Sequence, residues 1–251
     1  MSLFTVEERI QGLFGAPIGA TDGVLHPAAI CNGPDKQLFV LKIRPDSPKS
    51  ETDFFSLNLA RARADAIVTT GRILREEPDV SHRLPEALWN WRHEVLLKPL
   101  PPISVVLTSG RDLDLDHPLL DQSRGALIFT SFEGASRLAA GAASRGIELV
   151  GNDAPTLPGL IDFLRRDKRA RTISLEAGPS SVLPLYRMSR THPPTIDELI
   201  LSRYHGSVPD HLLGAPFLRE AELETLFATF SDETEVAEPS GLWSFRRYRR
   251  G

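Results

Sequence analysis

Along this chain, short apolar runs alternate with longer stretches in which apolar and polar positions mix at helical spacing. Two β-type runs come first, residues 26–32 and 37–43, separated by Gly33-Pro34-Asp35-Lys36, a turn by composition. From Asp53 the pattern becomes a helix carrying Phe54, Phe55, Leu57 and Leu59 and continuing through Ala64. Asp65 then leads into the compact apolar strand 66–69. Further strands are predicted over residues 103–108, 126–130 and 147–150, and helices over 135–144 and 157–166. A β-type run at 172–175 ends in Glu176-Ala177-Gly178-Pro179-Ser180-Ser181, after which an apolar, helix-like segment begins. Residues 196–204 alternate as a long strand, and 226–230 and 243–248 read as two antiparallel strands closing the chain. Residues 84–101, with Trp89, Trp91, His93 and several prolines, read as an insertion or long surface loop. Residues 1–25 read as an N-terminal extension, with a short helix over 7–13 before a glycine-rich loop.

Strands alternating with helices predict an α/β fold with a mostly parallel central sheet flanked by helices. The two late strands predict an antiparallel C-terminal edge. After the extension, residues 26–251 are expected to form a single domain. Hydrophobic and charged contents of 41% and 25% are those of an ordinary globular protein, and a net charge of −4 gives no reason to expect nucleic acid as a partner. The cluster Arg246, Arg247, Arg249, Arg250 reads as a solvated tail. The single cysteine, Cys31, excludes an internal disulfide, fits a reducing compartment, and sits in an apolar run that predicts an inert buried thiol. No apolar run approaches membrane-span length and no leader pattern opens the chain, so the expectation is a soluble, cytoplasmic protein with no membrane partner.

Several chemistries are absent from the sequence. There is no G-x-G-x-x-G after the first strand, no G-x-x-x-x-G-K-[ST] and no G-x-S-x-G. The seven histidines are scattered without a zinc-ligand spacing, so no metal is expected. Three segments remain, each predicted beyond the C-terminal end of a strand, where open α/β sheets bind ligands. They are residues 69–83, Thr108-Ser109-Gly110-Arg111, and the turn at 176–181. Small residues let a ligand approach the backbone. The first amides of a following helix have no internal partners and sit at the positive end of its dipole, which makes the last turn an anion cradle. Hydroxyls and arginines gathered at the other two ends suit a ligand with several phosphates.

With these segments in order, the chain resembles the reductase domain of bacterial riboflavin biosynthesis, the C-terminal half of the bifunctional deaminase–reductase, with its dihydrofolate-reductase-like fold. Residues Leu59-Ala60-Arg61-Ala62-Arg63-Ala64-Asp65-Ala66-Ile67-Val68 look like that family's LRAxxDAxLV passage. Gly71 through Pro78, with Ser81 and Arg83, look like its GxxTVxxDDPxLTxR loop. Leu175-Glu176-Ala177-Gly178-Pro179-Ser180, followed by Ile196-Asp197-Glu198-Leu199 and Leu212-Leu213-Gly214, look like its VEGGPxL, VDEL and LLG segments.

The resemblance implies an NADPH-dependent reductase that converts the ribosylamino group of a pyrimidine phosphate to a ribitylamino group. Ala177, Gly178, Pro179 and Ser180 would hold the cofactor pyrophosphate, and the resemblance allows a cis peptide between Ala177 and Gly178. Thr70 and Gly71 would lie along the cofactor, and Ser109 and Arg111 would meet the adenosine 2′-phosphate. Asn32, Ser81 and Arg83 would face the substrate, and Glu77 and Glu176 would orient or protonate it. A homodimer is implied. The sequence departs from the family at two places: Cys31-Asn32-Gly33-Pro34-Asp35-Lys36 stands in place of S-L-D-G-K, and Arg72 in place of a small hydroxyl residue. Two alternatives stay open, a same-fold NADPH reductase acting on another imine, carbonyl or pteridine, and a non-catalytic NADP-binding module. No H-x-E with C-x-x-C deaminase pattern is present.

Overall fold

The computed structural model describes residues 3–19, 22–121, 125–187, 195–228, 230 and 232–250. The chain opens with α1 (Leu3–Phe14), β1 (Gly23–Asn32), β2 (Gln37–Leu41), α2 (Glu51–Arg63), β3 (Ala66–Thr70), α3 (Gly71–Glu76) and α4 (Glu86–Glu94). It continues through β4 (Ile103–Leu107), β5 (Ala126–Ser131), α5 (Phe132–Ser144), β6 (Glu148–Asn152), α6 (Leu157–Asp167), β7 (Thr172–Leu175) and α7 (Pro179–Val182). The last elements are β8 (Glu198–Tyr204), β9 (Leu213–Arg219), α8 (Glu220–Phe227), β10 (Asp232–Ala237) and β11 (Trp243–Arg249).

Nine strands run in the order β10-β11-β8-β1-β7-β3-β4-β5-β6, and β2 and β9 extend from β1 as an antiparallel ribbon. Every pairing from β8 through β1, β7, β3, β4 and β5 to β6 is parallel, and β8-β11-β10 is antiparallel. This is the mostly parallel sheet with an antiparallel C-terminal edge that the alternation predicts. Val24 and Leu25 are adjacent in β1, so they point to opposite faces. Val24 belongs to the core cluster that includes residues of α6 and α8, and Leu25 to the one that includes residues of α1, α2 and α4, so helices cover both faces. Among the described residues no helix is long and apolar enough to cross a membrane.

Three elements differ from expectation. Residues 84–101 hold α4 rather than a surface loop. Ala87, Leu88 and Trp91 are buried against α1 and α2, and tertiary packing outweighs the local signals of tryptophan and proline. Residues 226–230 are not a strand: Leu226 and Phe227 end α8, whose Glu222 side chain accepts from the Arg219 amide. The partner of β11 is instead the polar strand β10, whose register sets Glu235 opposite Arg246. The strand β9, interrupted by Gly214 and Pro216, was not predicted; it lies on the outer side of β2, where a proline is tolerated. The C-terminal arginines also belong to structure and not to a solvated tail. Arg246 pairs with Glu235 and Arg247 with Glu198, and Arg250 donates to the Ile196 and Tyr186 carbonyls.

α2 carries most of the site. Its N-cap Ser50 accepts from the Thr52 and Asp53 amides, with acids in the first turn and Arg61 and Arg63 in the last, as the helix dipole favours. At its other end Arg92 donates to the carbonyls of Ala62 and Ala64 at 2.7 and 2.6 Å, and Lys98 to that of Arg63 at 2.6 Å. These bonds serve backbone acceptors that a helix end leaves open.

Candidate active site

Beyond the C-terminal ends of β3 and β7 the molecule opens into a cleft of about 1010 Å³, at the upper end of ligand-pocket sizes. One wall is the first half of α2, and another is the ribbon of β2 and β9. Its floor is made by Thr69 and Thr70, by the turn after β7, and by His26 of β1.

The turn after β7 is held to the sheet by the Glu176 amide, which donates to the Val68 carbonyl at 2.8 Å. Gly178 then caps α7, with Pro179 at its first position. A Cβ built on Gly178 would meet nothing within 4 Å, so the backbone here faces open space. Among the described residues no peptide is cis, so the Ala177–Gly178 bond is trans. Behind the neighbouring floor, a Cβ on Gly71 would lie 2.6 Å from Thr108 Oγ1, so glycine lets α3 start tight against the end of β4.

Glu176 is gripped by Arg61 through two parallel bonds, Nε to Oε1 at 2.8 Å and Nη2 to Oε2 at 2.7 Å. The third guanidinium nitrogen donates to the Ser81 carbonyl at 3.1 Å. Burial pushes the Glu176 carboxyl up, but the charge and hydrogen bonds of Arg61, with smaller help from His82 and His26, outweigh it and hold the pKa below the ordinary value. His82 Nε2 stands 3.9 Å from Glu176 Oε2, and its Nδ1 meets Ser104 Oγ at 3.0 Å. Glu77, at the end of α3, behaves oppositely. Burial and the Glu176 charge, against Arg61, raise its pKa to about 7. His26 is fully enclosed, with Nδ1 2.6 Å from the Tyr186 hydroxyl, and burial lowers its pKa to about 4 against the pull of Glu176. The floor therefore holds one carboxylate fixed as an anion and a second able to carry a proton near neutral pH.

Of the residues singled out from sequence, Thr70, Glu77, Glu176, Ala177, Gly178, Pro179 and Ser180 line this one cleft. Gly71 lies just behind it. Ser109 and Arg111 are exposed beyond the end of β4, outside the lining. Asn32 lies at the far end of β1, where its Oδ1 accepts from Arg203 at 3.2 and 2.8 Å. Ser81 contributes its carbonyl to Arg61 from behind the wall. The Arg83 side chain is 71% exposed and stands 3.6 Å from Asp121. Sequence reasoning singled out neither Arg61, His26, His82 nor Asp53 for a role, although Arg61 lies inside the matched LRAxxDA passage. Their side chains meet the cleft only through tertiary packing.

The cleft fits a dinucleotide on structural grounds. It has the volume, an open backbone turn at Gly178, and two buried hydroxyls without partners in its lining residues, Ser56 Oγ and Thr69 Oγ1.

No protein-family model matches the chain, and no curated protein matches its sequence. Solved structures do. The chain is similar to a pyrimidine reductase-like protein from Corynebacterium diphtheriae, with a TM-score of 0.66 and 20% identity over 96% of this chain and 98% of that one. It is similar to RibD of Acinetobacter baumannii, with a TM-score of 0.62 and 14% identity, covering 92% of this chain and 58% of that longer protein. It is also similar to the riboflavin biosynthesis reductase Rib7 of Saccharomyces cerevisiae, with a TM-score of 0.54 and 12% identity over 97% and 98% of the two chains. The chain thus has the dihydrofolate-reductase-like fold shared by these reductases.

Proposed function

We propose that the protein is an NADPH-dependent reductase of the pyrimidine reductase type, acting on the ribosylamino group of 5-amino-6-(5-phosphoribosylamino)uracil. The observation that carries this reading is the floor of the cleft, where the anionic Glu176, clamped by Arg61, sits beside the protonatable Glu77 and the open turn at Gly178. Thr70 and residues Ala177, Gly178, Pro179 and Ser180 would hold the cofactor. Ser109 and Arg111 would meet its 2′-phosphate from β4, the parallel neighbour of β3. When bound, NADPH supplies the hydride. Glu77 holds the proton that the substrate nitrogen takes as its C=N bond is reduced, and Arg61 keeps Glu176 ionised and fixed in place. Walls on several sides limit water. Positioning of this kind contributes several kcal/mol to barrier lowering.

The test is loss of nicotinamide absorbance on mixing NADPH, the pyrimidine substrate and the protein, alongside melting curves with NADPH and NADH. The reading expects turnover and a larger stabilisation by NADPH. Equal shifts from both cofactors would remove Ser109 and Arg111 from it, and absence of turnover would remove the substrate. A second reading, the same chemistry on another imine, carbonyl or pteridine, is favoured by the position of Asn32, Ser81 and Arg83 outside the cleft wall. The resemblance also supports a homodimer, checked by light scattering.

A further inference from the structure

A buried contact at the cleft floor joins two residues that the proposed chemistry leaves out. The ring of His26, on β1, is 4% exposed, and what it exposes lies on the cleft floor. Its Nδ1 stands 2.6 Å from the hydroxyl of Tyr186, a buried residue in the single helical turn Leu183–Tyr186 that follows α7. The two rings meet edge to face with centroids 5.8 Å apart, and the ring of Phe217 on β9 lies 6.4 Å from the imidazole. Tyr186 is itself anchored: Arg250 Nη2 donates to its carbonyl at 3.2 Å. Among the described residues Nε2 of His26 has no protein partner, and it is not sealed from solvent. It is the ring nitrogen left for a ligand.

A neutral imidazole carries one proton, and the partner of one nitrogen decides where that proton sits. Were it on Nδ1, donating to Tyr186, Nε2 would leave a bare lone pair in a cleft that Glu176 already charges negatively. With the proton on Nε2 the arrangement is favourable at both nitrogens: the Tyr186 hydroxyl donates to Nδ1, and the ring presents an N–H to a negative field. Tyr186 is able to donate because burial keeps its hydroxyl protonated, raising its pKa well above the ordinary value against the charge of Arg250. Burial likewise keeps His26 from taking a second proton, and the charge of Glu176 pulls the other way without prevailing. The charges acting on the pair are thus Glu176, from the turn after β7, and Arg250, from the end of the chain.

We propose that Tyr186 is a positioning residue of this cleft: its hydroxyl locks His26 as the Nε2–H tautomer, which makes that ring a fixed hydrogen-bond donor to an uncharged oxygen of the bound ligand. A carbonyl or hydroxyl oxygen fits. A ligand N–H does not, because the locked ring offers it no lone pair, and the charge of Glu176 makes an anionic oxygen unfavourable there. The cleft then holds polar groups of two kinds: Glu77, whose proton comes and goes near neutrality, and His26, whose proton stays. The part played by the ligand rests on the reading of the cleft as a reductase's site; the tautomer does not.

The test begins with long-range proton–nitrogen NMR of the isotope-labelled full chain, the His26 signals being assigned by their absence in His26→Leu. The wild type is expected to show Nε2 protonated and Nδ1 accepting, unchanged between about pH 6 and 8. Tyr186→Phe, which removes one oxygen, is expected to let the Nδ1–H tautomer appear beside the first and to lower NADPH turnover about tenfold. In a His26→Leu background the same substitution should leave turnover unchanged, because Tyr186 acts only through that ring. His26→Gln, whose N–H depends on no tautomer, is expected to retain more turnover than His26→Leu. An Nδ1–H or doubly protonated ring in the wild type overturns the proposal, and so does a wild-type spectrum in Tyr186→Phe. A loss of turnover that persists in the His26→Leu background makes Tyr186 merely structural and overturns it too. Should Tyr186→Phe fail to fold by circular dichroism, the wild-type spectrum and the comparison of His26→Gln with His26→Leu decide. If the wild type turns over no substrate while the spectrum and its dependence on Tyr186 hold, the reductase reading fails and the locked donor stands.

Discussion

Two arginines two residues apart in the last turn of α2 each make a bidentate bond to a glutamate and serve different ends. Arg63 meets Glu198, the first residue of β8, at 2.7 and 3.0 Å; Arg247 of β11 closes the other side at 3.0 and 3.2 Å, and the glutamate side chain is 2% exposed. Arg61 meets Glu176 through Nε and Nη2 at 2.8 and 2.7 Å, but that side chain stays 15% exposed, opens on the cleft, and has Glu77 and two histidines for neighbours. In the first pair the carboxylate is served on both sides and sealed from water; in the second it is left with unused capacity toward the cleft. A buried ion pair ties elements together when every lone pair is served, and becomes chemistry when one side is left for a ligand.

Arg63→Ala tests the sealed pair and is expected to have the largest effect, a loss of about 3 kcal/mol or more in urea denaturation, because it leaves Glu198 buried with half its partners. The pH dependence follows from the same residue. Burial alone would raise Glu198, but Arg63 first and then Arg247 hold its folded pKa at about 2, below the ordinary 4.5. A depressed folded pKa means stability that is present above about 4.5 and lost as pH falls toward about 2. The variant should show a shallower acid slope.

Arg61→Ala tests the open pair. It should cost less stability, about 2 kcal/mol, and lower NADPH turnover by about tenfold or more. If it matches Arg63→Ala in stability and leaves turnover intact, the two pairs are alike and the contrast fails. Glu77→Gln should act on the pH profile. With a folded pKa of about 7, raised from 4.5, Glu77 contributes stability that is present at low pH and lost as pH rises from about 4.5 through 7. The glutamine variant should lose that alkaline decline, gaining on the order of 1 kcal/mol at high pH after solvent screening, and its turnover should lose the limb near neutrality. Arg145→Ala is the control of smallest effect. Its bidentate pair with Asp116 has the same geometry but lies on the surface, so neither Tm nor turnover should move measurably.

What could be read from the chain follows the same division. Continuous apolar runs such as residues 103–107 and 172–175 announce strands buried on both faces, and the turn after β7 is legible from its small residues. Helix α4 is not, because Trp91 and Arg92 are helical through what they touch. Strand β10 is not, because an edge strand need not be apolar, and its charges answer arginines on β11. In the cleft, Glu77, Glu176 and the turn were accessible from motif order. Arg61, His26, His82 and Asp53 were not singled out, since a side chain's partner across the sheet leaves no local signal. Asn32 and Arg83 show the reverse: their places in a motif do not determine where their side chains point.

Arg92 has a consequence for motion. Its guanidinium, with all three nitrogens donating to the carbonyls of Ala62, Ala64 and Leu100, staples the terminus of α2 to α4 and to the segment after it. A helix end normally frays first, and its amides are then the earliest to exchange with solvent. Here fraying of α2 requires α4 to lift away with it. The last turn, which carries Arg61 and Arg63, is therefore expected to exchange deuterium in step with α4, as one cooperative unit.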